Sequence, residues 1–566
     1  MNTEKPWLKF YEPHVPEHID YPDTNLPAVL QEMAIKYPHL PAMVFKGRIV
    51  NYREFNETVD RFAAALQALG VKKGDRVAIH LPNCPQFPIT FYAILRIGGI
   101  AVPCNPIYTA REMKHQVCDS GAQLIITYTP AFAMIKQIRA ETPLRHVIVA
   151  CIKTYFPPLL NLLFTLLLEK KKGHRLDISG EPATYWFTDL LSKQSTRPQP
   201  GQVAPQDTAV LLYTGGTTGI SKGAQLTHQN ILANAYQVIK WIGGKEAQDS
   251  TLSALPLFHS YAMTMCMNSA IASAGCMILI ADPRDTLDIL KNIHKHKPAY
   301  YPGVPAMYVA ILNHPRVGEF NLRSIKVCCS GAAPLPVEVQ SQFQELTGAR
   351  LVEGYGLSEA SPVTHGNPAF GECRLGTIGL PWSDTEAKIV DLDTGKTVLK
   401  PGEIGELCLR GPQVMQGYWH MLAETANVLR SDPQGGAAWL YTGDCATMDE
   451  DGYFKIVDRK KDMILGAGGE NIYPREIEDV LYEHPKVLEA AAVGMRIPEK
   501  GERVKVYIKL KEGQSATEAE IIAFCKVNLA PYKVPKVVEF RDELPKTLVG
   551  KILRRELIKE EAIADG

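Results

Sequence analysis

A glycine-rich segment with several hydroxyl side chains and one lysine is the first part of the chain that could do chemistry. It runs from Tyr213 to Gly223 with the sequence YTGGTTGISKG, after a strand-like run and before a helical stretch that begins at His228. Glycines let the backbone turn its N–H groups inward around phosphate oxygens, and the hydroxyls and the Lys222 ammonium add donors. A Walker loop needs Gly-Lys followed by Ser or Thr, and Ser221-Lys222-Gly223 breaks that order. The segment therefore predicts a phosphate-binding loop of another kind.

Four more motifs occur at long intervals toward the C-terminus. They are SGAAPL at 330–335, EGYGLSE at 353–359, YTGD at 441–444 and PKTLVGKILRR at 545–555. In this order and over nearly the whole chain, they resemble those of the adenylate-forming enzymes, which include acyl-CoA synthetases, peptide-synthetase adenylation domains and luciferases. Residues 439–461 look like the fatty-acyl-CoA synthetase signature in particular, of the bacterial long-chain type. They depart from it at Tyr441, where His is commoner but an aromatic ring is kept.

The resemblance implies a nucleotide site for ATP. Tyr355 lies between glycines and can lay its ring against a purine, and Ser358 can donate to the α-phosphate. Glu359 can hold Mg²⁺, a hard cation that prefers oxygen ligands. Asp444 would accept from both ribose hydroxyls, with Arg459 as a second ribose contact. The predicted ATP-binding residues are Thr214, Gly215, Gly216, Thr217, Thr218, Gly219, Lys222, Gly331, Ala332, Glu353, Gly354, Tyr355, Gly356, Ser358, Asp444 and Arg459.

The same resemblance implies the catalytic groups. A lysine in a basic segment is usually a solvated surface charge, but Gly550-Lys551 matches the catalytic lysine of the family. Its ammonium would bridge the substrate carboxylate and the α-phosphate, and preorganised charge of this kind is commonly a large catalytic term. Lys551, Ser358, Glu359 and Lys222 are therefore the predicted catalytic residues. ATP and Mg²⁺ are the expected cofactors, and coenzyme A is the expected second substrate.

Other segments match the acyl and thiol ends of the site. Residues 255–263, LPLFHSYAM, lack the acidic residue that holds an amino group in the peptide-synthesising relatives, so an amino-acid substrate is disfavoured. The predicted acyl and thiol pocket contains His259, Met263 and Gly331, although a histidine or methionine that simply packs in the core is the plain alternative. By resemblance, Gly468, Gly469 and Glu470 would face coenzyme A, and Lys461 would be the hinge of a rotating C-terminal domain.

Alternating strand and helix patterns fill the first part of the chain and predict a mixed α/β architecture. Short strands with Gly, Pro and Asp between them begin near residue 371, and an α+β pattern comes after the charge run 458–462. We expect an α/β and α+β fold with a large, multi-subdomain N-terminal domain (1–459) that includes a distorted, barrel-like β part. A small, mobile α+β domain (460–566) would carry Lys551.

Composition limits the function classes. Lys plus Arg and Asp plus Glu both number 61, so the formal net charge is zero, which argues against nucleic acid as a partner. The 12 cysteines show no CxxC spacing and predict reduced thiols in a cytoplasmic protein. The N-terminal residues lack a signal-peptide pattern, and no window supplies the roughly 20 apolar residues of a spanning helix.

Residues 156–174, FPPLLNLLFTLLLEKKKGH, are the exception to this soluble composition. As a helix, residues 159–168 would span roughly 15 Å, half the apolar thickness of a bilayer. Leucines followed by three lysines suit the membrane interface and anionic lipid, so peripheral contact with the cytoplasmic face of a membrane is one interpretation. A buried hairpin or a contact in a homodimer is the other.

The favoured function is a long-chain fatty-acid–CoA ligase. It would convert carboxylate and ATP to acyl-AMP and pyrophosphate, and then acyl-AMP and coenzyme A to acyl-CoA and AMP. A ligase for aryl, medium-chain or branched acids, or one that loads an acyl carrier protein, would use the same motifs. From another class, a membrane-associated lipid-binding or scaffold protein could use an inactive ligase fold, although the presence of Lys551, Glu359 and Lys222 speaks against it.

Overall fold

The structure, a computed structural model, describes residues 5–194, 198–199, 201–214, 221–432, 435–466, 470–497, 501–546 and 552–564. The chain divides into two compact units. The N-terminal unit comprises Trp7–Glu386 and Arg410–Leu440. The C-terminal unit comprises Met1–Pro6, Ala387–Leu409 and Tyr441–Gly566.

The N-terminal unit is built around an eight-stranded sheet. In spatial order its strands are Gly417–Tyr418, Lys222–Thr227, Thr208–Thr214, Ile100–Pro103, Arg76–His80, Leu124–Tyr128, His146–Ala150 and Thr184–Trp186. The pairs from Ile100–Pro103 to Thr184–Trp186 are parallel, whereas Thr208–Thr214 and Lys222–Thr227 form an antiparallel hairpin. Buried Val, Ile and Leu side chains of these strands pack on helices, as expected for strands covered on their faces.

A second group of strands lies elsewhere in this unit. Ser250–Ser253, Cys276–Leu279, Pro41–Phe45 and Arg48–Asn51 form one sheet, and Val327–Ser330, Arg350–Gly356, Val363–Gly366 and Leu380–Pro381 form another. Single bridges from Tyr300 to Thr251 and to Val327 join the two sheets. The strand Val327–Ser330 thus ends at the SGAAPL motif, which by resemblance would line the adenine side of the nucleotide, and Arg350–Gly356 ends in the EGYGLSE motif.

Helices connect and cover these strands. Their N-termini follow local capping rules: Asn25 accepts from Ala28 N–H at the first helix, and Thr227 forms a capping box with Asn230. In this unit the described helices of eight residues or more are Leu26–Lys36, Tyr52–Ala68, Gln86–Arg96, Ala110–Ser120, Phe132–Arg139, Pro158–Leu167, His228–Trp241, Thr286–His296, Pro305–Leu312 and Val337–Thr347. Shorter ones are Phe187–Lys193 and Leu422–Val428, and Met263–Asn268 is a π-helical turn.

The C-terminal unit has its own sheets and core. One sheet takes its strands from Glu386–Val390, Gly405–Arg410, Trp439–Met448 and Phe454–Arg459. Val487–Ile497, Gly501–Leu510 and Val537–Phe540 form a three-stranded sheet on which Pro474–Tyr482 and Glu518–Asn528 pack around buried Ile and Val side chains. Ile464–Leu465 pairs with Asn471–Ile472, and Arg554–Ala564 is the last helix.

The predicted mixed α/β fold class, with a large N-terminal and a smaller C-terminal part, is confirmed. The charge run 458–462 begins within a strand, because Asp458 and Arg459 end Phe454–Arg459, and Asp458 is buried. Asp458 accepts from Arg475 N–H at 2.6 Å and from the Arg554 guanidinium at 3.1 Å. The boundary between residues 459 and 460 and the mobility of the C-terminal domain stay predictions. No helix among the described residues is long and apolar enough to cross a membrane.

Candidate active site

The two ends of the glycine-rich loop are fixed by strand pairing. Thr214 and Lys222 face each other across the antiparallel hairpin. The Ser221 hydroxyl donates to the Thr214 carbonyl at 2.7 Å, and His115 Nε2 donates to the Ser221 carbonyl at 3.1 Å. The loop itself, with Gly215, Gly216, Thr217, Thr218 and Gly219, lies outside the described residues.

Tyr418 links Lys222 to Glu359, although 137 residues of sequence separate these two predicted catalytic groups. The Tyr418 hydroxyl donates to Glu359 Oε1 at 2.8 Å, and the Lys222 ammonium lies over the Tyr418 ring, 5.3 Å from its centre. The ammonium also pairs with the Glu424 carboxylate. Tyr418 is in place because Gly417–Tyr418 pairs with the strand Lys222–Thr227. The structure therefore brings a cation and a carboxylate together at the end of the phosphate-loop hairpin.

The Glu359 carboxylate has the chemistry of a Mg²⁺ ligand. One of its oxygens is oriented by Tyr418, and its backbone carbonyl accepts from Met415 N–H at 2.8 Å. Mg²⁺ is usually bound through one or two carboxylates together with substrate phosphates rather than in an all-protein cage. No group of three potential metal ligands (His, Cys, Asp or Glu) occurs among the residues that the structure describes. The chemistry of the Glu359 carboxylate, a hard oxygen ligand beside the hairpin that carries Lys222, fits the ion.

The first four residues of the EGYGLSE motif end the strand Arg350–Gly356, and the backbone is closely packed there. Arg350–Gly356 pairs with Val363–Gly366, so Tyr355 lies opposite His365 and Gly356 opposite Val363. A Cβ at Gly356 would come within 2.2 Å of the Pro362 carbonyl oxygen, which only glycine avoids. Glu353 is buried, and its Oε2 accepts from Leu335 N–H at 3.4 Å, which ties this strand to the 330–335 loop. Burial lowers the pKa of His365 to about 3, so this ring is neutral.

Ser358 meets the segment that was expected to line the acyl pocket. Its hydroxyl is 3.1 Å from that of Ser260. Tyr261 donates to the Cys329 carbonyl at 2.6 Å, and its ring lies 3.3 Å from where a Cβ at Gly331 would be. Because Gly331 has no side chain, it leaves room for the Tyr261 ring. The neighbouring Ala332 has a φ of +66°, in the left-handed region.

His259 and Met263 occupy the same segment. His259 caps the short helix Ser260–Ala262 by accepting from Tyr261 N–H at 3.2 Å, and desolvation lowers the pKa of its imidazole to about 4. Met263 is fully buried in the π-helical turn. The structure places both residues beside Ser260 and therefore near Ser358. Their roles as pocket residues stay predictions.

The predicted ribose contacts lie together in the C-terminal unit. Asp444 and Arg459 are opposite each other on paired strands, and Arg459 Nε is 2.6 Å from Asp444 Oδ1. Asp444 is 3% exposed while Arg459 is 38% exposed at its side chain, so the pair presents its cationic side outward. Lys461 Nζ lies 4.0 Å from Asp462, and Glu470 accepts from Gly466 N–H through its carbonyl. Gly468, Gly469 and Lys551 lie outside the described residues.

Comparison with known proteins identifies the family of this chain. The family model described as "AMP-binding enzyme" matches residues 30–419, and the model "AMP-binding enzyme C-terminal domain" matches residues 476–551. The chain belongs to the AMP-binding enzyme family. Lys222 and Glu359 both lie inside the first match, and the predicted catalytic Lys551 is the last residue of the second.

Relatives in the AMP-binding enzyme family match over almost the entire chain. A long-chain-fatty-acid–CoA ligase of Bacillus subtilis is 44% identical over 565 residues, covering 99% of both chains. One from Escherichia coli O157:H7 is 40% identical, covering 98% of both. Among solved structures, an anthranilate CoA ligase with anthranoyl-AMP has a TM-score of 0.82 at 27% identity, covering 95% of this chain and 97% of that one. ATP-bound MatB from Rhodopseudomonas palustris has a TM-score of 0.81 at 27% identity, covering 95% and 99%.

Three residues of this AMP-binding enzyme site were missed from sequence. Tyr418, Glu424 and Ser260 contact predicted site residues through side chains. Ser260 lies within the predicted pocket segment 255–263 but was not among its predicted residues, and Tyr418 and Glu424 stand in no motif that indicated a site. Tyr418 follows a glycine in a short aromatic stretch, Gly417-Tyr418-Trp419, which is the only local signal. Its pairing with the phosphate-loop hairpin is a tertiary property.

Proposed function

We propose that this AMP-binding enzyme is a long-chain fatty-acid–CoA ligase. In the first half-reaction the substrate carboxylate attacks the α-phosphate of ATP, and acyl-AMP forms as pyrophosphate leaves. In the second, the thiol of coenzyme A attacks the acyl carbonyl, the thioester forms, AMP leaves and the thiol proton is released. The observation that carries the proposal is the 44% identity, over 99% of both chains, to the Bacillus subtilis long-chain-fatty-acid–CoA ligase.

The first half-reaction needs positive charge close to the pyrophosphate that leaves. Lys222 is nearly buried, at 9% exposure, and is held between Tyr418 and Glu424, so its ammonium sits in a partly desolvated place at the end of the loop hairpin. We assign to it the neutralisation of the departing phosphates. When bound, Mg²⁺ would add Lewis-acid stabilisation of the same oxygens, with Glu359 as its protein ligand.

Positioning would come from the neighbouring groups. Ser358 begins the 3-10 turn Ser358–Ala360, and Ser260 fixes its hydroxyl, so it can donate to the α-phosphate from a defined direction. In the C-terminal unit, Asp444 would accept from the ribose hydroxyls, and Lys551 would join the substrate carboxylate to the α-phosphate. Lys461 as a hinge, and Gly468, Gly469 and Glu470 as the coenzyme A side, belong to the same proposal.

The proposal also includes the compartment in which the enzyme works and its contact with a membrane. We place it in the cytoplasm, in contact with the inner face of a membrane through residues 156–174, because a long-chain acid dissolves in lipid. The 12 cysteines are free thiols in the structure, which suits a reducing compartment. A homodimer stays a prediction from sequence.

Acid-dependent exchange of pyrophosphate into ATP tests the proposal. The full chain is assayed with Mg²⁺ over saturated acids of increasing length and with benzoate and anthranilate. We expect an optimum at long chains and a matching optimum for thioester formation when coenzyme A is added. An optimum at aryl acids would replace the fatty acid and leave adenylation intact, as the likeness to an anthranilate CoA ligase would then suggest. Absence of exchange with every acid would contradict adenylation itself.

A further inference from the structure

The helix Pro158–Leu167 carries its apolar residues on the outside. Leu159, Leu162, Leu163, Leu166 and Leu167 are 70, 56, 45, 70 and 69% exposed. Their spacing of three and four residues puts them on one side of the helix, and we call these five side chains the leucine face. A surface helix in water normally shows the opposite arrangement.

The helix is nevertheless firmly attached by its other side. Phe164 is 6% exposed and packs edge-on against Phe156 and His174, with ring centres 5.3 and 5.4 Å apart. Asn161 Nδ2 donates to the Lys153 carbonyl at 2.8 Å, and Lys153 Nζ donates to the Thr165 hydroxyl at 3.1 Å. Asn161 and Phe164 therefore hold the helix to the protein, and the exposure of the leucine face results from a specific attachment.

An ion pair on the side of the helix that packs on the protein also neutralises Glu169, whose charge would oppose an apolar surface. Lys153 Nζ lies 2.5 Å from Glu169 Oε1, and both side chains are mostly buried, at 24 and 13% exposure. Glu169 is the sole acidic residue between 156 and 174. Its pairing leaves the outer side of the segment without negative charge.

Exposed lysines stand at both ends of the leucine face. Lys170, Lys171 and Lys172 follow the helix, are exposed, and form no ion pair with the acids in the described ranges of the chain. At the other end, Lys295 Nζ and the Pro157 ring both lie within 4 Å of the position that a Cβ at Gly47 would take, and Lys295 is exposed. An apolar stripe with cations at its two ends is complementary to acyl chains beneath anionic headgroups.

We propose that the leucine face docks the enzyme on an anionic lipid bilayer, lying in the plane of the interface. Ten residues give a helix of about 15 Å, too short to cross and long enough to lie among the headgroups. The leucines would enter the acyl region while the four lysines contact phosphate groups. The docking itself rests on this surface alone and does not require the ligase assignment, although it would present a membrane-dissolved acid to that enzyme.

Vesicle co-sedimentation of the full-length chain tests this docking, with phosphatidylglycerol–phosphatidylcholine vesicles compared with phosphatidylcholine alone. Leu162→Gln/Leu166→Gln is expected to lower the partition coefficient at least about tenfold. The control is Leu422→Gln/Val527→Gln, which changes two residues that are 86 and 85% exposed elsewhere, and it should bind like wild type. Lys170→Gln/Lys171→Gln/Lys172→Gln should lose on the order of 100-fold on anionic vesicles and little on neutral ones.

Other outcomes would overturn the proposal. Failure of the wild-type chain to bind anionic vesicles, or equal loss in both double variants, would do so. If sedimentation without lipid shows a dimer that only Leu162→Gln/Leu166→Gln dissociates, the leucine face is an interface between two copies. Pyrophosphate exchange with a detergent-dispersed acid, measured on the same variants, verifies that the site is folded and separates a docking failure from a failure of the ligase assignment.

Discussion

At the scale of single residues, the site depends on side chains that orient one another. Tyr418 has two tasks, since its hydroxyl fixes one oxygen of Glu359 and its ring supports the Lys222 ammonium. A phenol can do both because its edge is polar and its face carries partial negative charge. Removal of the hydroxyl should therefore affect Glu359 while it leaves the ring contact with Lys222 in place.

Glu359→Gln is expected to lower Mg²⁺-dependent pyrophosphate exchange on the order of 100-fold, because a neutral amide is a poor ligand for a hard cation. Tyr418→Phe is the matched variant, which keeps the carboxylate but loses one charge-assisted hydrogen bond to it and should cost only about tenfold. Both are measured over a Mg²⁺ titration with saturating acid and ATP. Equal activities for Glu359→Gln and wild type at every Mg²⁺ concentration would remove Glu359 from the metal site.

Buried histidines make the stability of the protein depend on pH. His228 is 1% exposed, desolvation lowers the pKa of its imidazole to about 4, and neither ring nitrogen has a hydrogen-bond partner among the described residues. Between pH 6.5 and 4 the unfolded chain binds a proton that the folded one does not. The free energy of unfolding therefore rises with pH across this window and falls on acidification.

His228→Leu should flatten this dependence. Between pH 7 and pH 5 the wild type is expected to lose about 2 kcal/mol of unfolding free energy at this site, and the variant should not lose that share. Chemical unfolding of the two proteins at both pH values measures the difference. Data at pH 7, where the imidazole is neutral in either state, give the cost of the substitution itself. Parallel losses in the two proteins would show that His228 titrates alike folded and unfolded.

At the scale of elements, strand ends bring the motifs together. The hairpin Thr208–Thr214 and Lys222–Thr227 carries Lys222, the strand Arg350–Gly356 runs into Ser358 and Glu359, and Gly417–Tyr418 pairs with the hairpin and reaches Glu359. Residues at strand ends are held by the ladder on one side and are free to meet a ligand on the other. We call the place where Arg350–Gly356 pairs with Val363–Gly366 the junction. The close approach of Gly356 to Pro362 shows that it leaves little space.

Gly356→Ala should disrupt the junction, because the new Cβ would lie 2.2 Å from the Pro362 carbonyl oxygen. We expect a loss on the order of 3 kcal/mol in stability, with a lower melting temperature and a large drop in pyrophosphate exchange. Gly318→Ala is the control, since nothing lies within 4 Å of its added Cβ. If the two alanine variants melt and react alike, the strands around Gly356 can separate without cost.

At the scale of the whole molecule, the candidate residues are shared between the two compact units. Lys222, Ser358 and Glu359 belong to the N-terminal unit, whereas Asp444, Arg459 and Lys551 belong to the C-terminal unit, which has its own core. If the reaction needs residues from both units, altering a residue of the C-terminal unit should change pyrophosphate exchange.

Lys551→Ala should reduce pyrophosphate exchange on the order of 1,000-fold while ATP affinity changes by only a few-fold, because the lysine is expected to act on developing charge rather than on the bound nucleotide. Lys546→Ala is the matched control. That lysine lies in the same segment but is ion-paired with Glu489, so its loss should leave exchange within a few-fold of wild type. Normal exchange in Lys551→Ala would end the assignment.

Local sequence predicted most of the elements that surround the site. From sequence, Asn25 before an apolar series predicts a capped helix, residues 124–128 predict a strand, and residues 518–528 predict a helix. All three occur in the structure, because capping residues and apolar periodicity act over a few residues. The apolar run 490–493 predicts a strand, and the strand in the structure is longer, Val487–Ile497. Glu489, Gly494 and Arg496 interrupt the apolar pattern on either side of that run, yet these flanking residues also pair with Gly501–Leu510.

Residue types and short spacings were enough to predict the order of the motifs, the family they indicate, the candidate residues and the leucine-rich segment. The folded chain was needed to show that Tyr418 joins Lys222 to Glu359, that Ser260 contacts Ser358 and that the leucine face points outward. Such contacts depend on which strands pair and which side of a helix packs. Pairing and packing join residues that lie far apart in the chain, and no local pattern records them.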